Sequence, residues 1–461
     1  MPLHLPGSAE PTVIASLDVR SEQVLPKTGD ELRPLILLLF AVVSLVSAES
    51  FAMRSAQAST PTPTSVIDTY ANIAQAAYAD ALTGAEKLQR AIHALLARPT
   101  EDNLRLAREA WRAARVPYMQ TEVFRFGNKA VDDWEKKVNA WPLDEGLIDY
   151  VAEAYGSDAP ENELYAANVI ASRSIKIAGR PINTSKITKD LLVKVLHEAG
   201  GIEANVAIGY HAIEFLLWGQ DLGGTGLGAG TRPATDYDMK SCTGGNCDRR
   251  SQYLRVVTNL LVDDLKWMAA QWRGSGKIRQ GLRKGGDVAG VTAIFTGLGS
   301  LSYGELAGER MKLGLMIHDP EEEHDCFSDN THNSHYFNAI GMRNIYLASY
   351  ARTDGRVVSG ASVSDLVRAQ SEDVDQRVRA ALDLSISRLQ DLVRRAETVE
   401  AYDQMIAEGN AEGNAVVERA IEALIAQAKE LERAIAALQL GTVTFEGSKS
   451  LDAPHEVPGK K

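Results

Sequence analysis

An excess of positive charge, a membrane-length apolar run, an alternating strand pattern and the common zinc-peptidase signature are all missing from this chain. Lys and Arg number 49 against 61 Asp and Glu, for a net charge of -12. That balance argues against nucleic acid and anionic membrane surfaces as partners, and it is compatible with cations as ligands. The apolar run at residues 35–46 (Leu-Ile-Leu-Leu-Leu-Phe-Ala-Val-Val-Ser-Leu-Val) is too short for a comfortable transmembrane helix. No convincing period-2 series appears, which leaves an all-α fold. His-Glu-x-x-His does not occur, so the usual pairing of two zinc ligands with an adjacent general base is lacking. The Gly-rich stretch 223–230 follows no strand pattern and has no Gly-Lys-Ser/Thr, so it is not read as a phosphate cradle.

At 461 residues the chain is long enough for two domains or one large one, with an ordinary soluble composition of 45% apolar and 24% charged residues. Residues 1–64 read as a targeting segment and linker. Lys27 and Arg33 precede the apolar run, and Val46-Ser47-Ala48 offers a small-residue cleavage site. The favoured expectation is export, to the periplasm or the outer membrane. The 34 residues ahead of the run are long for a signal, which leaves an early start or an uncleaved anchor as alternatives. Only three cysteines are present. In an exported protein Cys242 and Cys247, five apart, read as a disulfide; a zinc pair would need two further ligands. Cys326 is left over as a buried thiol.

Helical patterns dominate. One runs from Val66 to about Ala97 and stops before Pro99, and Thr100 then caps the next helix, which Pro117 should kink. In a later apolar run, Gly209-Tyr210-His211-Ala212-Ile213-Glu214-Phe215-Leu216-Leu217-Trp218, His211 and Glu214 lie three apart and share a helix face. A carboxylate there is costly unless paired or bound to a cation. Chance alone supplies roughly 0.6 His-x-x-Glu matches in such a composition, so a hydrogen-bonded core pair is the competing reading. Glu122 is a second carboxylate among apolar residues; it either pairs with Arg125 on its own helix or faces the same site as His211. The densest polar stretch is 318–335, where four of the 9 His stand among acids, including His324, Asp329 and His332. Imidazole with carboxylate suits iron, zinc or copper, and a solvated acidic loop is the alternative.

Four stretches together carry a family resemblance. Gly-x-His-x-x-Glu with Phe-Leu-Leu-Trp-Gly resembles the imelysin-like family, bacterial periplasmic or outer-membrane proteins first described as insulin-cleaving peptidases and as iron-regulated proteins. Trp111-x-x-x-Arg115-x-x-Tyr118 with Thr121-Glu122-x-Phe124-Arg125-Phe126-Gly127 is similar to its first signature. Cys242-Thr243 with Asn246-Cys247 and two Arg, and Glu322-Glu323-His324-x-Cys326-Phe327-Ser328-Asp329-Asn330-Thr331-His332, resemble its iron-regulated branch. The resemblance implies two packed helical-bundle halves, expected at 65–222 and 249–440, joined by a Gly-rich linker with the Cys pair at 223–248, with a disordered tail at 441–461. It implies a divalent or trivalent metal ion, iron or zinc, held by His211, Glu214 and Glu122, with His324, Asp329 or His332 completing the set. Function then divides between metal binding in iron acquisition, with a metal ion or iron chelate and outer- or inner-membrane transport components as partners, and a metallopeptidase in which Glu214 acts in catalysis. The missing His-Glu-x-x-His favours binding.

Overall fold

The first described helix is α1, Pro63–Ala97. The computed structural model describes residues 61–457 except Asp158; the expected targeting segment lies outside the described residues. Local chemistry starts α1: Thr62 N donates to Ser65 Oγ at 3.0 Å, Ser65 N donates to Thr62 Oγ1 at 3.2 Å, and Pro63 fills the first helical position. After three residues α2, Glu101–Met119, folds back along α1 under the expected Thr100 cap, with Asn103 N donating to Thr100 Oγ1 at 3.2 Å. Pro117 stands in its last turn, and the chain continues as a tight 3-10 turn, Glu122–Phe124.

Helix α3, Lys129–Asn139, ends against α4, Gly209–Trp218, all ten of whose residues are buried. Gly209 has φ +91°, and a Cβ there would stand 2.7 Å from Val138 O. Glycine is therefore what lets α4 start in contact with the end of α3. Helix α5, Cys247–Gln271, packs on α1 and α4, and Trp272 just beyond it stacks on Tyr78 at 6.0 Å. The Gly-rich segment at 223–248 thus connects helices of one packed group, because the apolar stripe of α5 completes the core that α1 begins. The change of partners comes with α6, Gly286–Ser300, which continues through a π-helical stretch, Leu301–Lys312, into Leu313–Ile317. That stretch packs on α10, Ala411–Ala437, which pairs with α9, Glu372–Thr398; α8, Val363–Gln370, precedes α9. Helix α7, Thr331–Tyr346, touches both α2 and α9 and so links the two groups.

The all-α expectation holds. Among the described residues the strands form two short antiparallel ribbons, β1 Ser174–Ile177 with β2 Arg180–Asn183, and β3 Ser349–Ala351 with β4 Val357–Ser359. Cys242 and Cys247 are bonded, and Cys326 is free and buried. No described helix is long and apolar enough to cross a membrane.

The expected disordered tail needs correction as far as residue 457. Phe445 lies on Gly299, where a Cβ would come within 2.1 Å of its ring. Ser300 Oγ accepts from Glu446 N at 2.9 Å, and Ser450 Oγ donates to Gly308 O at 2.9 Å. The glycines of α6 and the π-helical stretch are the seats for this segment. Its binding rests on backbone and serine hydrogen bonds, which leave no periodic apolar signal.

Candidate metal centre

Helical spacing brings His211 and Glu214 together as expected: His211 Nδ1 and Glu214 Oε2 are 2.9 Å apart, both side chains buried. The other carboxylate oxygen, Oε1, accepts from Ser328 N at 3.0 Å and from Ser328 Oγ at 2.6 Å. Glu214 therefore orients the imidazole, and His211 Nε2 is left buried without a partner. Burial pulls the His211 pKa down to about 3, with Arg115 adding to the fall. Burial likewise raises the Glu214 carboxyl well above its ordinary range, and the Asp325 charge adds to it.

The loop from 319 to 330 delivers the rest of the cluster. The His324 ring lies 4.8 Å from that of His211 and 5.7 Å from Trp141, centre to centre. Its Nε2 is 3.4 Å from Asn139 Nδ2, and its Nδ1 has no partner. Burial, reinforced by Arg310, drives its pKa well below the usual value, which keeps the imidazole in the neutral form a metal needs. Asp325 is fully buried and bonded to Arg115 Nη2 at 2.7 Å and to Asn330 Nδ2 at 2.9 Å, with Ser334 Oγ donating as well. Burial pushes its carboxyl up, but Arg115, His211 and these donors outweigh that and hold it below the ordinary range. Arg115 in turn lies over the rings of Trp111, Tyr118 and Tyr210, 5.1 to 5.6 Å from their centres. Ligand atoms of His211, His324 and Asp325 lie within 4.8 Å of one another. Two neutral imidazoles with free nitrogens and one ionised carboxylate fit iron or zinc. A cleft of about 490 Å³ reaches His324, with Asn139, Trp141, Glu305 and Arg310 also on its walls.

Three expected ligands stand elsewhere. The carboxylate of Glu122 takes Arg310 Nη2 at 2.7 Å, and Arg310 also pairs with Glu305 at 2.6 Å. The 3-10 turn at 122–124 aims Glu122 at the π-helical stretch, and Arg125 pairs with Asp132 and Glu305 instead of Glu122. His332, in the first turn of α7, has its Nε2 3.0 Å from Asn333 Nδ2 and leaves Nδ1 unpartnered; burial lowers its pKa to about 4. Asp329 groups with Glu323 and Asp403. Sequence reading missed Asp325 and Arg115. Both lie inside stretches that carried the resemblance, but neither breaks an apolar run, so nothing local singled them out.

A family model described as imelysin, bearing a peptidase family designation, matches residues 74–431. The chain belongs to the imelysin family. Iron-regulated protein A from Synechococcus elongatus is 37% identical over 67 residues, 14% of this chain and 19% of that protein; the chain thus matches about a fifth of that relative's length. A crystal structure from Parabacteroides distasonis, described provisionally as an iron-regulated protein A precursor, superposes with a TM-score of 0.58. It covers 82% of this chain and 96% of its own at 16% identity, which shows a shared fold.

Proposed function

We propose that this protein binds a metal ion, iron or zinc, through His211, His324 and Asp325, and serves iron acquisition or metal handling outside the cytoplasm. The observation that carries this reading is that His211, His324 and Asp325 bring ligand atoms within 4.8 Å of one another beside a cleft, with one nitrogen of each imidazole buried and unpartnered. Glu214 holds the tautomer of His211, as carboxylates behind metal-bound histidines do. The names of the iron-regulated relatives agree with it, and the apolar run at 35–46 suits export. A bare ion or a small iron chelate is the cargo this reading implies, and membrane transport components are the partners such a carrier needs.

A peptidase is the alternative that the family designation raises. Both oxygens of Glu214 are engaged, by His211 and Ser328, which leaves it no free edge to act as a base. Metal analysis and zinc titration of wild type and His211→Ala, beside an insulin digestion with a chelator control, test both. Wild type should hold one equivalent of zinc, His211→Ala should lose more than about 100-fold in zinc affinity, and insulin should survive. Equal zinc affinity in His211→Ala sinks the binding site, and chelator-sensitive cleavage moves the reading to a peptidase.

A further inference from the structure

Three acidic side chains that the histidine cluster does not use meet on the same loop. Glu323, Asp329 and Asp403 each offer an oxygen, and these oxygens lie within 4.8 Å of one another. Glu323 follows the turn Pro320–Glu322, Asp329 follows the turn Cys326–Ser328, and Asp403 is the second residue of the short helix Tyr402–Ile406. The chain thus brings in the third carboxylate from a separate helix.

Glu323 is fully buried, and neither of its oxygens has a hydrogen-bond partner. Thr331 lies near it without completing a hydrogen bond. One oxygen each of Asp329 and Asp403 is buried and unpartnered too, and so is the hydroxyl of Tyr402, on which the Glu323 charge acts. Among the described residues none of the three carboxylates forms an ion pair. Arg112 acts on Asp329 from a distance, while its own guanidinium donates to Ser328 O at 2.8 Å. Like charges gathered out of water without a counter-charge are unfavourable unless a cation joins them.

We propose that Glu323, Asp329 and Asp403 hold a second cation, a hard divalent ion of the calcium or manganese class, separate from the ion at His211 and His324. The donors are all oxygen, with no imidazole or thiolate among them, which suits these ions over zinc. Glu323 precedes His324 directly, so this ion clamps the short helix at 402–406 to the loop that carries His324 and Asp325. It is a positioning site for the first centre.

The test uses full-length protein stripped by chelator and titrated with Mn²⁺, followed by electron paramagnetic resonance, and with Ca²⁺ by calorimetry. Wild type and His211→Ala should each bind one equivalent of Mn²⁺ with similar affinity. Asp403→Asn should weaken Mn²⁺ at least about tenfold while still binding zinc at the histidine cluster. If Asp403→Asn does not fold, Glu323→Gln decides. Absence of Mn²⁺ and Ca²⁺ binding in wild type overturns the proposal, and so does unchanged Mn²⁺ affinity in whichever of the two variants folds. Failure of the histidine reading shows separately, as zinc retained by His211→Ala.

Discussion

Around Arg310 the buried polar groups close on one another. Glu122 and Glu305 accept from it at 2.7 and 2.6 Å, Asn338 adds a contact at 3.2 Å, and Arg125 bridges Glu305 to Asp132. Around His211 the groups stop short of closing: Nε2 of His211 and Nδ1 of His324 face no partner, and neither nitrogen of His335 has one. The two regions look alike along the chain, each a charged or titratable residue in an apolar setting. They differ in how completely partners arrive from other segments: Arg310 is met by two carboxylates, whereas Arg115 meets Asp325 and leaves the imidazole nitrogens unmet. Where the partners close the cluster, its polar groups go to stability; where they leave atoms unmet, those atoms remain available to a ligand.

Breaking the closed cluster should give the largest effect. Arg310→Leu leaves Glu122 buried without its counter-charge, so urea denaturation should show a loss of about 3–5 kcal/mol. A loss below about 1 kcal/mol would mean the cluster is not the anchor its geometry implies.

Acid separates the two regions next. Burial, with Arg310 adding to it, holds His335 at about 3, whereas its ordinary value is 6.5. Below 6.5 the unfolded chain takes a proton that the folded chain refuses, so stability present above 6.5 is lost as pH falls toward 3. Burial raises Glu305, but Arg310 and Arg125 outweigh it and hold the carboxyl down at about 2 against an ordinary 4.5. The closed cluster therefore keeps its contribution above 4.5 and loses it only between 4.5 and 2. Between pH 6.5 and 4.5 wild type should lose stability relative to His335→Gln, by about 1.4 kcal/mol per pH unit. Parallel stability profiles for the two proteins in that window would remove His335 as the cause.

The smallest effect comes from behind the open cluster. Ser328→Ala removes the hydroxyl that bonds Glu214 Oε1 at 2.6 Å. Zinc affinity should fall about 10- to 100-fold, as for other groups that orient a ligand, with helical content unchanged by circular dichroism. Affinity equal to wild type would show that His211 needs no such support.

Much of the architecture is legible in the sequence. The helix from Val66 to Ala97, the Thr100 cap and the Cys242–Cys247 pairing all follow from local spacing and turn chemistry. The His211–Glu214 contact was legible for the same reason, since three residues on a helix fix a distance. Glu122 was misplaced because its burial shows in the sequence and its partner does not: Arg310 lies 188 positions away.

The sequence by itself determined an all-helical chain, the elements and their caps, the membership of the imelysin family that its motifs announce, and one histidine–glutamate pair. Tertiary structure alone decided that Asp325 joins His211 in place of Glu122, that Asp329 turns to Glu323 and Asp403, and that the tail docks on the glycines of α6 and the π-helical stretch. The division has a physical cause. Periodicity and capping act within a few residues, whereas ion pairs and ligand sets depend on distances between segments that only packing brings together.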